Sequence, residues 1–152
     1  MTKKPKISII TIVKNGMPNL TDNLESFKNQ NYKNKELIVV YSKSDDKTLK
    51  ILKSSKIIKK IIYQNKSNLY GAINLGLKNT SGDVIGILHS DDIFFSSKSL
   101  ELVMESYIKD KFDIAYGNIL ISGKNDFKEI IRNWKSKPFK KDYLKYGWMP
   151  PH

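Results

Sequence analysis

The sequence predicts an α/β domain built on a doubly wound, mostly parallel sheet with helices on both faces. Apolar runs rich in β-branched residues alternate with segments whose apolar residues recur every three or four positions. The runs are also too continuous for strands with one face in water. Ligands of such sheets bind outside the carboxyl ends of the strands, where the strand order switches.

Each predicted element follows from a local pattern. The run ISIITIV, residues 7–13, is β-branched and apolar. It is closely followed by Asn15, a residue that permits a turn. After it, Leu20, Leu24 and Phe27 recur at helical spacing. The full predicted order is strand 7–13, helix 18–30, strand 36–41, a short helix from residue 48, a strand in the second half of 57–63, helix 69–79, strand 84–88, helix 97–109, and strands 113–121 and 127–133 joined by a turn at 123–125.

Composition narrows the class of protein. The 152 residues fit one domain, and a hydrophobic content of 39% argues against global disorder. The absence of cysteine excludes disulfides and thiolate zinc sites, which suits a reducing cytoplasm and leaves oxygen or histidine as metal ligands. The apolar run at 7–13 is too short to span a membrane.

The net charge of +12 favours anionic partners, namely phosphate groups, nucleic acid or an anionic membrane face. Charge alone does not choose among them. The lysines are scattered along the chain, so most of them are expected on a solvated surface.

The strongest sign of chemistry is GDVIGILHSDDIF, residues 82–94. A predicted buried strand ends there in two adjacent carboxylates, Asp91 and Asp92. Two acids at a strand end repel each other unless water, hydrogen-bond donors or a cation compensate, and a divalent cation that bridges to diphosphate oxygens does this well. The alternative is that the pair caps the next helix or forms a solvated turn.

Two further segments carry weaker signs. The strand at 7–15 ends in small polar groups able to contact a base or ribose, and an ordinary strand with its turn explains them as well. The helical segment at 68–86 presents Asn68 and Asn74 beside an apolar face. Asn74 fits a solvent-facing position as well as a ligand contact.

Taken in order, ISIITIVKN, FKNQNYKNKELIVV, SDDKT, NLYGAINLGLKNTSGDVIG and HSDDIF resemble the successive motifs of family 2 glycosyltransferases. The resemblance covers residues 6–133, and the joint order is specific although each motif is weak. It implies the GT-A fold, a Rossmann-like doubly wound sheet. It also implies transfer of a sugar from a nucleoside diphosphate to a saccharide or lipid-linked acceptor, by inverting displacement with a divalent cation, Mn²⁺ or Mg²⁺, at the leaving group.

The resemblance also implies roles for individual residues. HSDDIF matches the family's DXD-like motif, so Asp92 would bind the metal, with Asp91 beside it near the donor's ribose or phosphate. Relatives usually carry an aspartate that binds the base at the position of Tyr41. In this chain the tyrosine would stack on the base or form a hydrogen bond with it instead. Gly71 replaces an acid that some relatives carry. The residues expected to bind a UDP- or GDP-sugar are Thr11, Asn15, Tyr41, Asp46, Asn68, Asn74 and Asp91.

The resemblance implies a division of the chain as well. Residues 1–133 would form the N-terminal, nucleotide-sugar-binding part of a GT-A domain. The basic and aromatic tail, 134–152, would be irregular apart from a helical turn near Tyr143 and would begin an acceptor-binding portion. In relatives the general base lies beyond the position of His152, so we expect no catalytic residue in this chain. We also expect the chain to be a fragment or a degenerate remnant of such an enzyme.

Two other functions stay open. The substitution at Tyr41 and the expected lack of a base fit a catalytically inactive or vestigial nucleotide-sugar-binding domain. The charge fits a nucleic-acid or membrane-surface protein, although no helix-turn-helix, zinc or RNA-binding aromatic signature accompanies the lysines, so nucleic acid is disfavoured. The expected location is cytoplasmic, with peripheral association at the inner membrane face as an open alternative.

Overall fold

The computed structural model describes residues 4–65, 68–123 and 126–148, apart from the side chains of Asp126 and Lys128. The chain forms two compact units, Met1–Asp110 and Lys111–His152. The domain boundary expected after residue 133 stays a prediction.

The first unit is a four-stranded, fully parallel sheet in the order β3-β2-β1-β4, and it confirms the predicted fold class. Because β1 pairs with β2 on one side and β4 on the other, the strand order switches between β1 and β4. Its elements are β1 (Ile7–Val13), α1 (Leu20–Lys28), β2 (Lys35–Ser42), α2 (Thr48–Ser54), β3 (Ile58–Gln64), α3 (Leu69–Leu77), β4 (Val84–Ile87) and α4 (Ser99–Asp110).

The two inner strands explain the continuous apolar runs of the sequence. Strands β1 and β2 have a neighbour on each side and helices over both faces, so Ile38, Val39 and Val40 all lie in the core. The outer strands are more open. In β4, Ile85 and Ile87 are 43% and 46% exposed.

Helices cover both faces of the sheet, as predicted. Side chains alternate between the faces along β1, so Ile9 and Ile10 enter different clusters. Helices α1, α2 and α4 pack on the Ile9 face through a cluster that includes Phe27, Leu52 and Met104. Helix α3 packs on the other face, where Ala72 meets Ile10 and Val40.

The approach of α3 to the sheet depends on Gly76. A Cβ atom at this position would lie 2.6 Å from Cγ2 of Ile10, closer than two carbon atoms pack without displacement. A glycine therefore lets the helix lie directly on β1.

The second unit contains an antiparallel pair, β5 (Ile119–Gly123) and β6 (Asp126–Trp134), and a 3₁₀ helix, Lys141–Tyr146. The helix confirms the turn predicted near Tyr143. The strand predicted over 113–121 is wrong in its first part, because residues 113–118 have no strand geometry. Side chains hold this segment instead: Tyr116 donates to the carbonyl of Lys137 at 2.8 Å, and Asn118 Oδ1 accepts from Ser136 N at 2.9 Å. The turn predicted at 123–125 falls mainly outside the described residues.

Candidate functional site

All four strands of the first unit end at one edge of the sheet, which we call the carboxyl edge. The segments that follow β1 and β4 leave this edge on either side of the switch in strand order. A parallel sheet binds ligands at such a place because the diverging connections leave a crevice between them. Three of the eight site residues predicted from the sequence, Asn15, Asp91 and Asp92, lie in these two segments.

The segments after β1 and β2 are joined by a row of hydrogen bonds. Three consecutive backbone amides of the first segment donate to side chains of the second: Asn15 to Ser44 Oγ (3.0 Å), Gly16 to Thr48 Oγ1 (2.8 Å) and Met17 to Asp46 Oδ2 (3.1 Å). The two loops therefore form one unit at the carboxyl edge.

Asn15 and Asp46, both predicted to bind the donor, hold this unit together. Asn15 has a left-handed backbone, φ 51°, and its Oδ1 accepts from Asp45 N at 2.9 Å. Asp46 Oδ1 accepts from Thr48 N at 2.9 Å, and the hydrogen bonds from Thr48 hold the pKa of the Asp46 carboxyl below its ordinary value. Both side chains are exposed, so their donor contacts stay a prediction.

Tyr41 lies beneath the second loop. Its side chain is 4% exposed, its hydroxyl accepts from Ser44 N at 3.0 Å, and its ring meets Tyr63 edge to face at 5.5 Å. Tyr41 thus supports the loop from inside. Its contact with a base stays a prediction, and its side chain is buried among the residues that the structure describes.

The other predicted donor residues occupy three different places. Thr11 is completely buried inside β1. Asn68 lies at the carboxyl edge, where its Oδ1 caps α3 by accepting from Gly71 N at 3.3 Å. Asn74 is exposed on the side of α3 opposite the buried Ala72, which is the solvent-facing alternative left open by the sequence. The roles of all three stay predictions.

The acidic pair follows β4 at the carboxyl edge. Asp92 N donates to the carbonyl of His89 at 3.0 Å, which closes a tight turn around Asp91. Both aspartates are exposed. Partial desolvation, and then the charge of Asp91, raise the pKa of the Asp92 carboxyl, while the nearby His89 opposes this rise.

The pair fits a metal that is shared with a phosphorylated ligand. Among residues 4–65, 68–123 and 126–148, no three histidine or acidic side chains are grouped as a complete metal site. Mg²⁺ and Mn²⁺ need only one or two protein carboxylates when phosphates supply other ligands. Partial desolvation is the larger cause of the raised pKa of Asp92, and the charge of Asp91 adds a repulsion that a cation would relieve.

An open pocket of about 390 Å³ lies at the ends of β1, β2 and β3. The residues around it are mostly polar or charged: Lys14, Ser42, Lys43, Asp45, Gln64 and Asn65. The sequence analysis did not predict any of these six as an individual site residue. Their shared signal is a position at or just after the end of a strand.

Known sequences identify the family. The sequence profile described as Glycosyl transferase family 2 matches residues 8–150. The chain belongs to glycosyltransferase family 2. Among its curated relatives is the Escherichia coli UDP-Glc:alpha-D-GlcNAc-diphosphoundecaprenol beta-1,3-glucosyltransferase WfgD, 34% identical over 121 residues, which cover 78% of this chain and 47% of WfgD. An uncharacterized glycosyltransferase of Rickettsia bellii is 37% identical over 109 residues, which cover 70% of this chain and 16% of that protein.

Solved glycosyltransferase structures confirm the GT-A fold. TarS 1-349 of S. aureus superposes with a TM-score of 0.66 at 22% identity, over 77% of this chain and 35% of TarS 1-349. The mannosyltransferase PcManGT of Pyrobaculum calidifontis superposes with a TM-score of 0.63 at 20% identity, over 84% of this chain and 38% of PcManGT. The chain therefore spans less than half the length of each of these relatives.

Asn23 is a further residue of this family 2 domain that the sequence reasoning missed. It lies on the buried face of α1 and contacts the turn that carries the acidic pair. The available signal was a polar residue on an apolar helical stripe, between Leu20 and Leu24.

In the part of the chain that the structure describes, no helix has the length and apolar character needed to cross a membrane.

Proposed function

We propose that this family 2 chain is the nucleotide-sugar-binding part of a glycosyltransferase. The enzyme would transfer a sugar from a nucleoside diphosphate to a saccharide or lipid-linked acceptor by metal-assisted inverting displacement. The observation that carries this proposal is the pair of exposed carboxylates, Asp91 and Asp92, at the carboxyl edge beside the switch in strand order.

Proteins of the same fold support the choice of donor. TarS 1-349 has been solved in complex with UDP-GlcNAc, and PcManGT in complex with GDP-Man and Mn²⁺. We therefore propose a UDP- or GDP-sugar as donor and Mn²⁺ or Mg²⁺ as cation.

We propose that different residues at the carboxyl edge bind the cation and the nucleoside. Asp91 and Asp92 would hold the cation, which when bound neutralises the diphosphate as it leaves. The pocket between Lys14, Lys43 and Gln64 would hold the nucleoside. The loops joined by Asn15 and Asp46 would keep the pocket in shape. The acceptor and the general base that deprotonates it are proposed to bind and act through other parts of the protein.

Calorimetric titration with UDP- and GDP-sugars, with Mn²⁺ and then with EDTA, tests the proposal. We expect one class of donor to bind more tightly with Mn²⁺, and Asp92→Ala to remove this increment while the domain stays folded. Asp110→Ala, which changes an exposed acid at the end of α4, is the matched control and should bind as the wild type does. Absence of binding for every donor, or an unchanged increment in Asp92→Ala, would contradict the proposal.

An assay of sugar transfer, rather than the titration, separates the inactive alternative. A vestigial domain would bind a nucleotide sugar without transferring it, in a chain that also contains the acceptor-binding part. Transfer of the sugar by that longer chain, and its loss in Asp92→Ala, would exclude the alternative.

A further inference from the structure

Three polar side chains of α1 and of the residues just after it contact the segment between β4 and α4. They are Asn23, Ser26 and Gln30, spaced so that they fall on one side of the helix and its C-terminal end. Asn23 and Gln30 are 0% and 1% exposed. Buried amides on an otherwise apolar face need a reason, because apolar side chains pack there without loss of hydrogen bonds.

Asn23 contacts the acidic turn itself. Its Nδ2 donates to the carbonyl of His89 at 2.7 Å and to the carbonyl of Asp92 at 2.8 Å. The two acceptors stand at the two ends of the turn that carries Asp91, and Asp92 N also donates to the His89 carbonyl. One amide group thus holds both ends of the turn.

The other two side chains hold the residues on the C-terminal side of the turn. Phe94 N donates to Ser26 Oγ at 3.3 Å, while Gln30 donates to the carbonyl of Ser96 at 2.7 Å and accepts from Leu100 N at 3.0 Å. Gln30 therefore fixes the start of α4, beyond the acidic turn. It is as buried as Asn23 but has no bond to residues 89–92.

Packing does not explain the amide at position 23. Its orientation is set by the two carbonyls, and its Oδ1 has no hydrogen-bond partner among the residues that the structure describes. A buried acceptor without a partner lowers stability. The two bonds to the turn are the gain that remains, and they fix the backbone from which both carboxylates project.

We propose that Asn23 is a positioning residue for the donor and metal site, which acts by fixing the turn that carries Asp91 and Asp92. This inference rests on the proposed function. It goes beyond it by placing the control of metal-dependent binding on α1, 66 and 69 residues away from the two carbonyls in sequence.

The test compares two substitutions of equal character. Asn23→Leu keeps the branched shape and removes both donors to the turn, whereas Gln30→Met keeps the length and removes the bonds to α4. Loss of a group that orients metal ligands typically costs about 10- to 100-fold in metal affinity. We therefore expect Asn23→Leu to reduce the Mn²⁺-dependent gain in UDP- or GDP-sugar affinity by about tenfold or more. Gln30→Met should keep that gain even where its melting temperature falls.

A second measurement needs no ligand. Hydrogen exchange of the backbone amides at 91–94 should be faster in Asn23→Leu than in the wild type, and unchanged at these positions in Gln30→Met. Asn23→Ala, which removes the amide altogether, should show the same pattern and serves if the leucine variant fails to fold.

The outcomes separate the inference from the function. If the wild type binds a donor with Mn²⁺ and Asn23→Leu keeps the full metal-dependent gain, Asn23 has only a structural role and the inference is overturned. If the wild type binds no donor, the proposed function fails, and the role in positioning a site fails with it. Equal exchange at 91–94 in the wild type and Asn23→Leu overturns the inference whatever the titration shows.

Discussion

Protonation of Glu36 should destabilise the first unit without changing any contact of the candidate site. Glu36 lies near the start of β2, at the end of the sheet opposite the carboxyl edge, and is 5% exposed. Its carboxylate accepts hydrogen bonds from Lys6 Nζ, from Ser8 Oγ at 2.6 Å, and from the backbone amide and hydroxyl of Ser81 at 2.8 and 2.9 Å. Three separate segments therefore meet at one charge.

The size of the effect follows from the pKa. Burial by itself would raise the pKa of Glu36, but the hydrogen bonds from Lys6, Ser8 and Ser81 outweigh it and lower the pKa from 4.5 to about 2. A lowered pKa in the folded state stabilises the fold above the unfolded pKa, and this stabilisation is lost as the pH falls through the folded pKa. At about 1.4 kcal/mol per pKa unit, the contribution at neutral pH is roughly 3 kcal/mol, lost between about pH 4.5 and pH 2.

Urea unfolding of the wild type and of Glu36→Gln, at pH values from 7 to 2.5, measures this contribution. We expect Glu36→Gln to lose about 3 kcal/mol at pH 7 and to approach the wild type as the pH falls. Glu25→Gln is the control, because Glu25 is an exposed acid paired with Lys28, and its loss should change the free energy of unfolding by less than about 1 kcal/mol. A difference between wild type and Glu36→Gln that stays constant from pH 7 to pH 2.5 would refute the reasoning.

Three further substitutions test single contacts, each by urea unfolding. Gly76→Ala should cost about 1–3 kcal/mol, because its Cβ would meet Ile10; an unchanged stability would show that α3 can move away freely. Tyr41→Phe should cost roughly 1 kcal/mol, since Ser44 N loses its acceptor, and a neutral result would mean that another group replaces the hydroxyl. Thr11→Val should stabilise the fold by about 1 kcal/mol, because its buried hydroxyl has no partner among the described residues. A loss of donor affinity in that variant would support the predicted contact of Thr11, and unchanged affinity would contradict it.

The fold was predictable because its inner strands are buried on both faces. The runs that became β1 and β2 are short, rich in β-branched residues and largely apolar, as expected of a parallel strand covered on both faces. Residues 113–118 were mispredicted as strand because apolar residues there suggested one, whereas the segment is held by side chains of Tyr116 and Asn118. Such contacts depend on distant partners and leave no local period in the sequence.

The site was predictable to the level of strand ends and no further. Position after a strand placed Asn15, Asp46 and the acidic pair at the carboxyl edge. It did not show that Tyr41 lies under a loop, because burial of that ring depends on how residues 42–46 fold over it. Asn23 was missed for the same reason, since its two acceptors are brought to α1 only by the tertiary fold.

The loop after β1 also constrains how an anion can be held. In glycine-rich phosphate-binding loops, successive main-chain N–H groups point at the phosphate oxygens. Here the N–H groups of Asn15, Gly16 and Met17 already donate to Ser44, Thr48 and Asp46, so they have no proton left to offer. A diphosphate bound beside this loop would therefore be held by other groups, which under the proposed function are side chains and a cation. The affinity for the diphosphate should therefore fall sharply when a chelator removes the cation. A loop that binds phosphate through its main-chain N–H groups would keep much of its affinity under the same treatment.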